Sequence, residues 1–188
     1  VVGYLIGAIN PAVLITRARG VDIRATGSGN PGATNVGRAL GPAAGVLVAL
    51  LDVAKGALPV LLFTWLAGPV AGGWAGLAAV IGHITSPFLR GRGGKGVATT
   101  IGVLVASHPL WLIPVLGVAV VVILITREVG LGSAAGAVAL IVVALVDHGV
   151  WESSLVGVLL GLLILLRHGG NLQRWLRHRR DSFGNADP

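Results

Sequence analysis

Long apolar runs separated by short polar stretches fill most of this sequence. The runs cover 1–16, 42–67, 70–86, 110–126, 131–146 and 150–166, and most approach the roughly 20 residues that a helix needs to cross a bilayer. Only 11% of the residues are charged, against about 25% in soluble domains, which is too few to cover a surface facing water. The pattern predicts an all-α fold, a polytopic membrane helix bundle.

The basic residues indicate whether the short apolar stretch 97–107 also crosses the membrane, because cytoplasmic loops are enriched in Lys and Arg. If it crosses, thirteen of the fourteen Lys and Arg residues fall in loops on one side, and Lys55 lies within a span. If it does not, Arg127 moves to the opposite side. We therefore predict seven transmembrane segments, one of them short, with the N-terminus outside and the C-terminus cytoplasmic.

The whole span 1–180 is predicted to be one integral-membrane domain, and 181–188 a disordered cytoplasmic tail. The net charge of +7 is spread over short clusters between apolar runs and comes with few aromatic residues. That placement favours membrane lipids over nucleic acid as the partner. The sequence has no cysteine, which excludes disulfides, thiolate metal ligands and a cysteine nucleophile.

Two glycine-rich loops share the spacing G-x-G-x-x-G: "GSGNPGATNVGR" at 27–38 and "GRGGKGVATT" at 91–100. A dinucleotide-binding interpretation requires a preceding strand, and a Walker A interpretation requires Ser or Thr after the lysine. The sequence offers neither. Glycine does allow backbone N–H groups to turn together toward an anion, and each loop runs into an apolar segment whose helix N-terminus would add positive charge.

Polar side chains in these loops strengthen the prediction of anion binding. Arg38 and Lys95 supply full charges, and neutral donors come from Ser28, Asn30, Thr34 and Asn35. Two such loops on one membrane face suit a pair of substrates that each carry a phosphate. The alternative, that these are only tight solvated turns, is the better interpretation for one loop but not for two.

A third polar cluster, "RHGGNLQRWLRHRR" at 167–180, places His168 and Asn171 three residues apart, on one helix face or on a loop rim. Its later arginines favour contact with lipid headgroups. Asp52 and Lys55 are also three apart, within a span, where an ion pair is a functional candidate by default; a structural pair is slightly favoured. The sequence predicts no metal site and no cofactor.

The motifs "GSGNPGATNVGRALG", "DVAKG", "GHITSPFLRGRGGKGVATT" and "HGGNLQRWL", in this order, resemble the PlsY family of membrane glycerol-3-phosphate acyltransferases over nearly the whole chain. The resemblance implies transfer of an acyl group from acyl-phosphate to the 1-hydroxyl of sn-glycerol 3-phosphate. The products would be lysophosphatidic acid and phosphate, in the first step of bacterial phospholipid synthesis. It also implies a multi-pass protein of the bacterial inner membrane, without a required protein partner.

The resemblance also assigns site residues. It implies glycerol phosphate contacts at Ser28, Arg38 and Lys95, and a third site element at His168 and Asn171. It implies contacts with the acyl-phosphate head at Asn30, Thr34, Gly93 and Gly94. The other predicted substrate-binding residues are Gly27, Gly29, Asn35, Gly96 and Ser133. The chain departs from the family pattern at "GAINP" (7–11), at Gly130 in place of a serine, and at Arg180 in place of a glutamate.

Phosphate is a good leaving group, so such an enzyme mainly holds two anions and aligns the hydroxyl with the carbonyl. The proton acceptor is either His168 or the substrate's own phosphate, which is slightly favoured. Acyl-CoA and CDP-alcohol enzymes are excluded, because no histidine has an Asp five residues later and the seven acids are dispersed. A transporter of a phosphorylated metabolite, a purely structural membrane subunit and a diverged, weakly active paralogue remain alternatives.

Overall fold

The computed structural model describes residues 1–147 and 151–184, which are helical over most of their length and contain no strand. The described residues form an all-α bundle as predicted, and two longer connections, 18–32 and 85–96, contain the glycine-rich loops. The helices are α1 (Val2–Ala8), α2 (Pro11–Arg17), α3 (Ala33–Leu40), α4 (Pro42–Ala67), α5 (Pro69–Ile84), α6 (Val97–Ser107), α7 (Leu112–Thr126), α8 (Val129–Val146) and α9 (Trp151–Gly184).

Four stretches of the described chain are long and apolar enough to cross a membrane, namely Pro42–Ala67, Pro109–Thr126, Val129–Val146 and Glu152–Asn171. Shorter apolar helices lie within Val2–Arg17 and at Val97–Ser107. The predicted bounds 42–67 and 97–107 agree with α4 and α6. The predicted tail 181–188 lies partly inside the bounds of α9 and partly outside the described residues, and its disorder stays a prediction.

The first apolar run is not one continuous helix, as the sequence led us to expect over 1–16. It breaks after Ala8, and α2 starts at Pro11 with Asn10 as its N-cap, whose side chain accepts a hydrogen bond from the backbone N–H of Val13 at 2.9 Å. Proline suits the first position of a helix but cannot continue one. The break leaves the carbonyls of Ala8 and Ile9 available to side chains from elsewhere in the bundle.

Helix α4 packs against α1, α3, α5 and α6, while α8 packs against both α7 and α9, and α9 also packs against α5. Small residues allow close approach: a Cβ on Gly7 would overlap the Ala79 carbonyl of α5, and one on Gly82 would overlap Tyr4 of α1. Membrane helices use small residues in this way because tight van der Waals contact replaces the hydrophobic effect between them.

Two clusters of buried apolar residues hold the bundle together. The larger joins α5, α6, α8 and α9 around Val80, Leu104, Leu140 and Leu160. The smaller lies under α2 and α3, with Ile23 and others packed beneath the first glycine loop. Large apolar side chains are exposed along the outer faces of the helices, as expected for surfaces that contact lipid. The smaller cluster supports the first glycine loop, because Ile23 and Val36, on either side of Gly27, are both buried in it.

Candidate active site

A polar cleft of about 420 Å³ lies where three separate stretches of the chain meet. Volumes of this size are typical of small-molecule sites. The first glycine loop and the residues just before it form one wall, and the second glycine loop forms another. Residues 167–171 of α9 contribute the third. The lining residues are Arg24, Ser28, Gly29, Asn30, Pro31, Arg92, Gly93, Lys95, Arg167, Gly170 and Asn171.

Asn35, in the first turn of α3, holds the first glycine loop in shape. It is only 3% exposed; its amide donates to the carbonyls of Ile23 and Thr26, and its oxygen accepts from the Ser28 N–H at 3.2 Å. Gly27 has a φ of 57°, and a Cβ there would overlap the Asn35 oxygen. Asn35 and Gly27 thus position Ser28 instead of lining the cleft.

The second glycine loop folds back onto the end of α5. The N–H groups of Gly91, Gly93 and Gly94 donate to the carbonyls of Ser86, Ile84 and His83 at 2.9, 2.9 and 3.2 Å. The prediction that these N–H groups point together toward an anion is therefore wrong for this loop, because backbone carbonyls already accept them. Gly96, with a φ of 89°, is the N-cap of α6. Gly93 and Gly94 pack closely against the end of α5, and Arg92 and Lys95 line the cleft.

Helix α9 supplies the third wall and ties it to the second loop. Lys95 Nζ donates to Asn171 Oδ1 at 2.5 Å, and an Arg167 guanidinium nitrogen donates to the Gly93 carbonyl at 3.2 Å. His168 and Asn171 lie on one helix, as one of the two predicted arrangements required. His168 is buried, its Nδ1 lies 2.8 Å from the Ile164 carbonyl, and it is not among the lining residues.

Four cations line the cleft, and none of the described lining residues is acidic. The sequence predicts Lys95 as a site residue. It does not predict Arg24, Arg92 and Arg167, which enter the sequence analysis only in the count of basic residues on one side of the membrane. Their proximity to the motifs was the available signal: Arg92 lies inside the second loop, Arg167 next to His168, and Arg24 just before Gly27. Charges of one sign facing a shared cleft attract anions.

Six predicted site residues line the cleft: Ser28, Gly29, Asn30, Gly93, Lys95 and Asn171. Others lie outside its lining. Thr34 and Arg38 share the exposed face of α3, and Gly94 packs against the His83 ring. Ser133 is half-buried on α8, where its hydroxyl donates to the Val129 carbonyl.

Gly130, one of the departures from the family pattern, lies directly against Asn171. A Cβ at this position would overlap the Asn171 side-chain amide. The glycine therefore leaves the space in which Asn171 accepts from Lys95. Among the described residues, no group of three His, Asp or Glu side chains is arranged to hold a metal ion.

The family model described as "Glycerol-3-phosphate acyltransferase" matches residues 1–178. A relative from a strain of Thermus thermophilus, named glycerol-3-phosphate acyltransferase, is 47% identical over 181 residues, covering 91% of this chain and 86% of its own. Another such relative, from Myxococcus xanthus, is 46% identical and covers 96% of both chains.

A solved structure has the same fold. It is a crystal structure of PlsY, an integral membrane glycerol 3-phosphate acyltransferase, in its glycerol 3-phosphate form, with a TM-score of 0.89 and 37% identity. The match covers 94% of this chain and 90% of that one. The family match to residues 1–178 includes the three stretches that meet at the cleft.

Proposed function

This chain belongs to the glycerol-3-phosphate acyltransferase family and is an enzyme of that activity, and we propose that its acyl donor is acyl-phosphate and its site the cationic cleft. The products are then lysophosphatidic acid and inorganic phosphate, and no cofactor takes part. The observation that carries the proposal is the convergence of Arg24, Arg92, Lys95 and Arg167 in one cleft without a lining acid among the described residues.

Charge balance supports two phosphate-bearing substrates in this cleft. A phosphate monoester carries a charge of about −1.5 to −2 near neutral pH, so two such groups roughly match four cations. Arginine binds phosphate with a planar fork and lysine as a compact charge. We assign the glycerol phosphate to Ser28 and Lys95, as the resemblance implies, and the acyl-phosphate head to the side of Asn30, Gly93 and Arg92.

The chemistry needs little covalent help from the protein. The 1-hydroxyl oxygen of glycerol 3-phosphate attacks the acyl carbonyl carbon, a C–O bond forms, and the bond from that carbon to the phosphate oxygen breaks. The proton of the hydroxyl passes to a phosphate oxygen of the bound substrates. The cations stabilise the charge that develops on the carbonyl and on the leaving phosphate. Holding both reactants in line supplies much of the remaining acceleration.

The position of His168 supports a phosphate as proton acceptor. A general base must come within about 2.6–3.2 Å of the proton it takes, directly or through a water. His168 is buried, and its Nδ1 already faces the Ile164 carbonyl at 2.8 Å. We therefore give His168 the task of fixing the helical turn that carries Asn171, and Asn171 the task of positioning Lys95.

The cleft also supports seven crossings with the N-terminus outside. Residues from 24–31, 92–95 and 167–171 line one cleft, so these three stretches lie on one side of the membrane. The short α3 and the long helices α4 and α5 lie between the first pair of stretches, and α6, α7, α8 and the first part of α9 lie between the second pair. An even number of crossings results only if the short α6 crosses too. With the basic residues in the cytoplasm, this gives a multi-pass protein of the bacterial inner membrane.

Cysteine labelling tests this topology cleanly, because the sequence has no cysteine of its own. We expect Ser107→Cys, at the end of α6, to react with an impermeant maleimide on intact spheroplasts. Arg127→Cys should react only after permeabilisation. The reverse pattern would show that α6 does not cross.

The activity is tested with purified protein in micelles, acyl-phosphate and glycerol 3-phosphate, by following phosphate release and lysophosphatidic acid together. We expect both products in equal amounts and neither without glycerol 3-phosphate. Acyl-CoA in place of acyl-phosphate is the control for the donor. Product formation from acyl-CoA alone would overturn the proposed donor, and transport of glycerol 3-phosphate into vesicles without acylation would favour the transporter.

A further inference from the structure

Three ionisable side chains form a buried cluster between α4 and α5: Asp52, Lys55 and His83, which are 2%, 6% and 4% exposed. Lys55 Nζ lies 2.9 Å from Asp52 Oδ1, and His83 Nδ1 lies 3.5 Å from the same oxygen. The mechanism described above uses none of them. Groups of this kind are rare inside a membrane protein and costly to keep there, which calls for an explanation of what they hold.

One side of the cluster supports the second glycine loop. The His83 carbonyl accepts from the Gly94 N–H, and a Cβ on Gly94 would overlap the imidazole ring. The loop backbone therefore lies directly on His83, and Lys95 is the next residue. A shift of the imidazole toward the loop would therefore displace the backbone next to Lys95.

The other side of the cluster holds the break between α1 and α2. Lys55 Nζ donates to the Ile9 carbonyl at 2.7 Å, and Ser86, just after α5, donates to the Ala8 carbonyl at 2.7 Å. Asn10, which follows Ile9, donates from its side-chain amide to the Pro31 carbonyl at 3.2 Å. Pro31 lines the cleft as part of the first glycine loop.

A continuous set of contacts thus joins the two loops from below. It runs from Pro31 through Asn10 and the Ile9 carbonyl to Lys55, and from there through Asp52 and His83 to Gly94. We infer that Asp52, Lys55 and His83 are positioning residues, which fix the distance between the two phosphate-binding loops through the break at Ile9 and Asn10. The inference rests on the proposed function of the cleft.

A purely structural ion cluster would behave differently when replaced. Neutral residues of similar volume often replace a buried ion pair at little cost to stability. A positioning role predicts that such a replacement leaves the protein folded but weakens substrate binding, because small displacements of binding groups carry a large cost.

The test compares wild type with the double variant Asp52→Asn/Lys55→Met, in which no charge is left unpaired. Calorimetry in micelles gives the dissociation constant for glycerol 3-phosphate, which does not depend on turnover, and phosphate release is followed separately. We expect the dissociation constant to rise by about tenfold or more at unchanged stoichiometry. Lys55→Arg, which keeps the charge and the donor, should bind nearly as wild type does.

Leu140→Ala is the matched control for lost stability, since Leu140 lies in the larger core cluster on α8. It should lower the melting temperature and the fraction of binding-competent protein without changing the dissociation constant. His83→Asn and His83→Leu form a second pair that does not depend on the double variant folding. Asn retains a side-chain amide that can donate to Asp52, so His83→Asn should bind glycerol 3-phosphate more tightly than His83→Leu.

An unchanged dissociation constant in folded double variant, or equal binding by the two His83 variants, overturns the inference. Failure of the proposed function looks different: wild type then binds glycerol 3-phosphate but forms no lysophosphatidic acid. The binding comparison among variants still decides the positioning role in that case.

Discussion

The buried cluster and the cleft both contain charged groups, but they balance charge in opposite ways. In the cluster, Asp52 lies 2.9 Å from Lys55, and the remaining contacts of Lys55 include a backbone carbonyl. In the cleft, four cations face one space without an acidic lining residue in the described chain. The first region holds charges of both signs, whereas the charged lining residues of the second, within the described part of the chain, are all positive and suit an anionic ligand.

Single substitutions in the two regions should therefore act first on different quantities, although the cluster also positions the loops of the cleft. Removing one partner of a buried ion pair leaves an uncompensated charge, which destabilises the fold. Removing one of several like charges from a solvated cleft relieves repulsion and costs binding instead. Mutations in the two regions should therefore produce different combinations of melting temperature and kinetic constants.

Asp52→Ala should have the largest effect of any substitution proposed for either region. It leaves Lys55 buried without its carboxylate, and breaking such a pair costs about 3–5 kcal/mol. At roughly 2–4 °C per kcal/mol for a chain of this size, the melting temperature in micelles should fall by about 6–20 °C. Glu128→Gln, at an exposed acid, is the control and should change it little. Equal melting temperatures for Asp52→Ala and wild type would remove the contrast.

Lys95→Ala should show the opposite combination. The melting temperature should stay close to that of wild type, while kcat/KM for acyl transfer falls by about 10²–10³-fold, the usual cost of removing one donor from a developing charge. Lys95→Arg keeps the charge but changes its geometry and should recover part of the activity. If Lys95→Ala instead unfolds the protein, then its bond to Asn171 is structural and the two regions are not distinct.

The sequence predicts the bundle better than it predicts the site. Apolar run length fixes α4 and α6 to the residue, because lipid requires an apolar surface along a whole helix. The sequence does not predict the break before Asn10, because the free carbonyls of Ile9 and Ala8 are satisfied by distant side chains. Lys55 and Ser86 donate to them from 46 and 78 residues away. Arg24, Arg92 and Arg167 are missed for a related reason: only the folded bundle brings three loops together.

His168→Ala is a narrower test of the cleft. The residue is buried like His83 but lies one helical turn before Asn171. Because we propose that a phosphate oxygen accepts the proton, kcat should fall by less than about tenfold, since loss of a general base typically costs 10²–10⁴-fold. The pH dependence of kcat should keep its shape. A collapse of kcat with unchanged KM would instead make His168 the base.

The matched histidine for that experiment is His108, which follows α6. It stacks on Trp111 with 4.3 Å between ring centroids and does not line the cleft. Burial lowers the pKa of His108 from its ordinary value, which favours the neutral imidazole. Because His108 lies outside the cleft lining, His108→Ala should leave kcat and KM unchanged. A matching loss in both variants would point to a general disturbance of the bundle.

Arg38→Ala should have the smallest effect, and it defines where the cleft ends. Arg38 is exposed on α3 and outside the lining, so its charge acts on the approach of the anions, and exposed charges of this kind change association rates and salt dependence. We expect kcat/KM to fall by only a few-fold at low ionic strength, with kcat unchanged. The loss should disappear at about 0.5 M salt, where screening is nearly complete, and Arg38→Lys should retain the wild-type value.

A fall in kcat as large as that of Lys95→Ala, insensitive to salt, would mean that Arg38 contacts the reacting groups directly, as the family resemblance implies. The Arg38 side chain would then have to leave its exposed position when substrate binds, and the cleft would extend to α3.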